Sequence, residues 1–386
     1  MRRLVVIIAC VVAVAACSSS GKSTSPPSTG ASPSSTASTT PTTPTTLAPT
    51  ARPIGHVFVI NLENEDYDTT WGAASAAHYL NGTLVPMGKL LTQYFAIGHA
   101  SLGNYIAEIS GQAPNPRTQG DCLNYFEFVS TGTGPDGQAL GQGCVYPKAV
   151  KTIADQLTAA GKTWRTYQEG MGTPCRHPAI GSSDTTFVPK PGALYATRHN
   201  PFVYFHSIID SPACAQNVVD YKQLATDLAS VSTTPNFAFV TPDVCDDGHD
   251  APCVDGRPGG LVSADRFLTS EIPKILASPA YKADGMLVIT LDEAQITNTA
   301  ACCHTPVSPN AEKPGLGGPG GGRIGTLVIS AHVKANTTDD TPYNHYSLLC
   351  SVEDVFGLKH LGFAGAPGLA CFGKDVYDAP APIASP

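Results

Sequence analysis

The chain is predicted to fold as α/β, with a mainly parallel central sheet, on three observations. Two wholly apolar runs, residues 56–62 and 286–291, lack polar alternation and so suit strands buried on both faces of a parallel sheet. Strand-like and helical runs alternate from Ile54 to about Leu361, with no internal repeat. Both apolar runs stop at adjacent oxygen ligands, Glu63-Asn64 and Asp292-Glu293, and open α/β sheets bind ligands beyond the carboxyl ends of their strands. Either pair alone also fits a solvated strand-to-loop transition. Two such endings favour one shared site, in which clustered carboxylates repel unless a cation or protons neutralise them.

The elements follow in chain order. Arg2-Arg3, the short apolar run 4–16 and Val14-Ala15-Ala16-Cys17 read as a lipoprotein signal (residues 1–17) that leaves a lipidated Cys17, or else as an ordinary secretory signal. Residues 18–53, almost all Ser, Thr, Pro, Ala and Gly, read as a disordered tether, and 54–386 as the folded domain. Residues 94–111 read as an extended run, a tight turn and a helix ending at Gly111, with Ser101 at its cap. Residues 148–160 form a helical stripe before the strand 163–167, and 218–230 another before the strand 237–240. A helix at 263–276, capped by Ser263, leads to the strand ending at Asp292; 326–330 is a last strand and 344–356 a last helix. The Gly/Pro-rich segments 112–147, 170–201, 245–260 and 297–323 are long enough to be functional loops. Within the last, Gly315 to Gly322 precedes a strand and contains Pro319, so it reads as a mobile flap and not a phosphate loop.

Composition narrows the class. With 386 residues, 42% hydrophobic, the chain can bury a real core. A net charge of -8 with 14% charged residues leaves no basic footprint, which argues against nucleic acid. Of 12 cysteines, Cys10 and Cys17 fall in the signal and ten remain, an even number suited to an oxidising compartment and up to five disulfides. Proximity suggests Cys122 with Cys144, Cys245 with Cys253 and Cys350 with Cys371. The alternative is a thiolate zinc site at Cys245, His249 and Cys253, or at Cys302-Cys303-His304.

The chemistry centres on Ser101. A helix N-terminus attracts anions, and a serine there is either a plain cap or a nucleophile activated by a base or a metal. Five segments in order, 61–68, 99–105, 241–250, 289–293 and 343–349, resemble the bacterial phosphoesterase family of acid phosphatases and phospholipases C, within the alkaline phosphatase superfamily. The resemblance covers nearly all of 55–361. It implies an alkaline-phosphatase-like three-layer sandwich with long disulfide-braced loops.

It also implies a divalent metal (Ca, Mg, Mn, Zn or Fe) held by Glu63, Asn64, Asp292, Glu293 and Ser101, the serine being transiently phosphorylated. His99 and Asn104 flank that serine; His206, His249 and His345 are candidates to bind phosphoryl oxygens or protonate the leaving alkoxide. Asp246, Asp247 and Asp250 would fix imidazoles, hold a second cation or form a plain turn. Ala100 and Gly103 stand where the family often has proline. The phospholipase branch commonly has threonine as nucleophile, so Ser101 leans toward the phosphatases.

The implied activity is phosphomonoester hydrolysis on an exported, membrane-anchored protein, with a phosphorylated small molecule or phospholipid, including a phosphoinositide, as substrate. A phospholipase C-type phosphodiesterase is the alternative enzyme, and a substrate-binding lipoprotein the alternative without catalysis. Oligomeric state is not readable.

Overall fold

The computed structural model describes residues 53–378; the signal with Cys10 and Cys17, and the tether before residue 53, lie outside the described residues. Eight strands form the main sheet: β1 (His56–Leu62), β2 (Lys89–Leu91), β3 (Trp164–Gln168), β4 (Val218–Asp220), β5 (Phe237–Thr241), β6 (Gly285–Leu291), β7 (Thr326–Ser330) and β8 (Thr337–Asp339). Their order is β8-β2-β7-β6-β1-β5-β3-β4. Pairing is parallel except at β7, which runs antiparallel to β2 and β6. Every residue of β1, β5, β6 and β7 is buried, as their unalternating apolar sequences require.

Five helices matter for the site: α1 (Ser101–Ser110), α2 (Ile153–Ala159), α3 (Gly260–Ala277), α4 (Pro279–Asp284) and α5 (His345–Phe356). They cover both faces of the sheet. Asn61 of β1 bonds Glu108 of α1, whereas Phe58 lies against Tyr281 of α4 with ring centroids 6.4 Å apart. Three positions separate Asn61 from Phe58, so the two side chains leave opposite faces, and α1 and α4 belong to different layers. The architecture is a three-layer α/β sandwich.

Local chemistry sets the boundaries. Thr152 and Asp155 form a capping box that starts α2 at Ile153, five residues later than the stripe suggested. Asn344 and Ser347 do the same for α5, which ends on left-handed Gly357. α3 begins at Gly260, ahead of the predicted cap, and the Ser263 hydroxyl instead accepts the Gly259 N–H at 3.1 Å. The predicted helix over 218–230 is corrected: Val218–Asp220 is the edge strand β4, paired with β3, and only Gln223–Asp227 is helical. Two β-branched valines pack better on a pleated edge than on a helix.

Five disulfides join Cys122 to Cys144, Cys175 to Cys214, Cys245 to Cys253, Cys302 to Cys303 and Cys350 to Cys371. They include all three pairs suggested by proximity. They also remove the thiolates that the zinc alternative needed. The glycine-rich flap is a packed wall: a Cβ on Gly315 would lie 2.0 Å from the His99 nitrogen, and one on Gly321 would lie 2.3 Å from the Gly98 oxygen. Its glycines serve close backbone approach. No helix of the described residues is long and apolar enough to cross a membrane.

Candidate active site

Parallel pairing of β1 with β6, in register from His56 opposite Gly285 to Leu62 opposite Leu291, delivers Glu63 and Asp292 side by side. The Asp292 N–H donates to the Leu62 carbonyl at 2.9 Å, and the Glu63 N–H to the Asp247 carbonyl at 2.8 Å, so a third acid joins from the loop after β5. Glu63, Asp247 and Asp292 are each fully buried.

Ser101 meets them from α1. Its Oγ donates to Glu63 Oε2 at 3.0 Å, while Tyr105, one turn on, donates to Glu63 Oε1 at 2.7 Å. The Ser101 hydroxyl also stabilises the charged form of Asp292. Ser101 is the first residue of the helix and not its cap. The cap is Ala100, held at φ 85°, a left-side conformation rare for a residue with a Cβ. Asn104 braces that turn, its Oδ1 accepting from Ile97 (2.9 Å) and Gly98 (3.1 Å) and its Nδ2 donating to the Gly98 carbonyl (2.8 Å).

Burial and mutual repulsion dominate the electrostatics. Burial, then the charges of Asp292 and Asp247, push Glu63 well above the carboxylate range. Burial likewise raises Asp247 well above that range and lifts Asp292 to about 7. Glu293 is raised well above it by burial and by Asp292.

His199 stands inside this cluster. Its Nε2 is 3.2 Å from Glu63 Oε1 and its Nδ1 3.4 Å from Asp247 Oδ2, yet neither ring nitrogen has hydrogen-bond geometry to any partner. Asp247 Oδ2 and Asp292 Oδ2 are also buried without a partner. Burial, then the charges of Arg198 and His249, hold His199 well below its ordinary value, so the ring is neutral and offers a lone pair. Buried polar atoms are normally satisfied, and four orphans in one cluster mark a place for an ion or ligand.

Other predicted residues are placed differently. Asn64 sits at φ 49°, its N–H donating to Asp292 Oδ1 at 3.2 Å and its carbonyl accepting from Gln295 Nε2 at 2.6 Å. Glu293 turns to His99, with Oε2 3.1 Å from Nδ1, while His99 Nε2 donates to the Asn298 carbonyl at 2.9 Å. His249 is exposed at the edge, its Nδ1 2.7 Å from Asp250 and its backbone N–H on Asp247. His345 lies behind Asp292, with both ring nitrogens engaged. His206 is not brought to the cluster: its nitrogens are taken by Glu127 at 2.7 Å and Asp210 at 3.1 Å.

Sequence reasoning passed over His199, Arg198, Tyr105 and Asp121. Asp121 Oδ1 accepts the Leu102 N–H of α1 at 2.9 Å, and its Oδ2 lies 4.0 Å from Arg198 Nε. Arg198 is buried, and the charges of Asp121, Glu63 and Asp247 outweigh that burial to keep its guanidinium protonated. The available signal was the run Arg198-His199-Asn200, polar residues closing a long loop just before an apolar stretch.

Fold and cluster together define a three-layer α/β protein with a helix-terminal serine facing buried acids at the carboxyl edge of its sheet. The model of the phosphoesterase family matches residues 80–359, and the chain belongs to that family. A probable acid phosphatase of Kluyveromyces lactis is 27% identical over 307 residues, covering 79% of this chain and 59% of the relative. A phosphate-repressible acid phosphatase of Penicillium chrysogenum is 29% identical, covering 78% of this chain and 58% of the relative. The chain thus spans under two thirds of the length of these fungal relatives, and their presence lifts the bacterial restriction on the resemblance. A phosphatidylinositol-3-phosphatase of Mycobacterium tuberculosis is 25% identical, covering 82% of each chain. Among solved structures, an alkaline phosphatase superfamily protein of Vibrio parahaemolyticus aligns at a TM-score of 0.45 and 14% identity over 79% of this chain and 66% of that one.

Proposed function

We propose that the chain is an exported, metal-dependent phosphomonoesterase that works through a phosphoserine on Ser101. The observation that carries the reading is the Ser101 hydroxyl, 3.0 Å from Glu63 and beside Asp292, in a cluster with four orphaned polar atoms. Those atoms fit a divalent cation. Glu63, Asp292, Asp247, His199 and Ser101 would hold it, and a histidine among oxygen donors favours zinc or iron over calcium or magnesium. Asn64 and Glu293 bear on Asp292 and on His99 through the bonds already described. Bound there, the cation would lower the serine pKa and offset repulsion between the anionic substrate and the carboxylates.

The chain's own residues carry the rest. Glu63 accepts the Ser101 proton across their hydrogen bond as Oγ attacks phosphorus and the ester P–O bond breaks. Arg198 supplies a fixed positive charge beside Glu63 and Asp247. His249, at the edge and paired with Asp250, would protonate the departing alkoxide. Water then gives a proton back to His249 as its oxygen bonds phosphorus and the serine–phosphorus bond breaks, releasing phosphate, and the serine oxygen recovers its proton from Glu63.

The mycobacterial relative supports a phosphate carried on a lipid as substrate, and the fungal relatives support smaller monoesters. The five disulfides support export, and a lipidated Cys17 would anchor the chain to the outer face of a membrane. The test is turnover of p-nitrophenyl phosphate against bis(p-nitrophenyl) phosphate, by wild type and by Ser101→Ala, with metal content measured on both. Monoester turnover that vanishes in the variant while metal stays bound upholds the reading. Diester preference, or unchanged turnover in Ser101→Ala, overturns it.

A further inference from the structure

Glu108 lies about two turns along α1 from Ser101, on the buried side of the helix, and touches neither the serine nor the acid cluster. A buried carboxylate is costly without partners. One partner comes from β1, and the other, the first residue of α5, bonds the end of β6. Asn61 Nδ2 donates to Glu108 Oε2, and Asn61 is two residues before Glu63 on β1. His345 Nδ1 is 2.9 Å from Glu108 Oε1, an ion pair off the line of a straight hydrogen bond, and His345 Nε2 donates to the Asp292 carbonyl at 2.6 Å.

A carbonyl only accepts, so Nε2 carries a proton and Nδ1 is turned toward Glu108. Asn61, Glu108 and His345 are all buried. Tyr94 closes the group, its hydroxyl 3.3 Å from His345 Nδ1.

We propose that Glu108 and His345 form a positioning pair that sets the spacing of the site: one carboxylate ties the helix bearing Ser101 to the strand bearing Glu63 through Asn61, and to Asp292 through His345. Three chain segments that contribute oxygens to the cluster thus share one anchor behind it. The pair acts on geometry and meets no substrate. A shift of about 1 Å between nucleophile and acids is enough to lower turnover about a hundredfold. The inference rests on the reading of Ser101 as nucleophile, but it also predicts a property of the cluster that needs no turnover.

The test uses Glu108→Gln, His345→Gln and the double variant, each as the full chain. Either single variant leaves one buried charge unpaired and is expected to melt well below wild type. The double variant removes both charges while its two introduced glutamines keep a polar contact, and it is expected to recover most of the melting temperature. Its Mn²⁺ affinity, from direct titration, is expected to fall about tenfold, and its kcat on p-nitrophenyl phosphate by about tenfold or more, with KM within about twofold. A double variant with both wild-type Mn²⁺ affinity and wild-type kcat overturns the inference, as does one no more stable than the worse single variant. Wild type that turns over no phosphomonoester sinks the proposed function instead, and Mn²⁺ affinity then still decides this inference.

Discussion

Two acidic clusters draw on the stretch Asp243 to Arg257, and the fold treats them in opposite ways. Asp243, Asp246 and Asp255 surround Arg257, whose guanidinium bonds Asp246 and Asp255 (2.7 Å to Asp255 Oδ2) and lies 3.6 Å from Asp243. Asp247, one residue along, points inward to Glu63, Asp292 and His199, where Arg198 is nearby but pairs most closely with Asp121. Where acids serve the loop, the chain provides its own cation. Where they serve Ser101, it leaves oxygens and a neutral imidazole open, and on the proposed reading an exchangeable ion would be the matching partner.

The sharpest way to break this contrast is to remove the residue the open cluster serves. Ser101→Ala is expected to lower kcat on p-nitrophenyl phosphate roughly a thousandfold, about 4 kcal/mol in activation free energy, with metal still found by elemental analysis of metal-saturated protein because Glu63, Asp247, Asp292 and His199 remain. Asp292→Asn should weaken the open cluster itself: Mn²⁺ affinity by titration is expected to drop about a hundredfold, with activity recovered only at high metal. Arg257→Ala strikes the closed cluster, and its melting temperature is expected to fall by about 2–4 °C while turnover stays within about twofold. Equal loss of activity in Arg257→Ala would erase the distinction.

The last test is in pH. Asp292 at about 7, Glu169 at about 8 and Glu353 at about 9 are carboxyls raised by burial above an unfolded value near 4. The folded chain then binds more protons than the unfolded one, so the stability of metal-stripped protein falls as pH rises from about 4 through these values. Calorimetry of chelated protein from pH 5 to 8 is expected to show a declining melting temperature. Metal loading should flatten the part due to Asp292 and leave that of Glu169 and Glu353. An unchanged slope on loading would place the ion elsewhere.

Much of the frame was legible because it rests on local pattern. The runs of β1 and β6 announce strands buried on both faces, and their endings give Glu63 and Asp292. Asn344 and Gly111 mark helix boundaries by capping chemistry. What sequence could not show is which loop residues come back. His199 reaches Glu63 across more than a hundred residues, and its ring stacks there on Tyr105, centroids 5.5 Å apart. His345 sits in a recognisable Tyr-Asn-His-Tyr cluster, but its direction depends on Glu108, which no spacing rule connects to it. The valines of β4 were misread because a short apolar stretch fits helix and edge strand equally well.

The glycine-packed wall bears on how this protein could be altered. Gly98, Gly315, Gly320 and Gly321 press backbone on backbone, each leaving under 2.5 Å for any added carbon. Saturation mutagenesis should find this strip intolerant even to alanine, while the exposed hairpin strand Val129–Thr133 accepts nearly anything. Directed evolution of this chain therefore has one hand tied, because the strip packed on His99 stays as inherited.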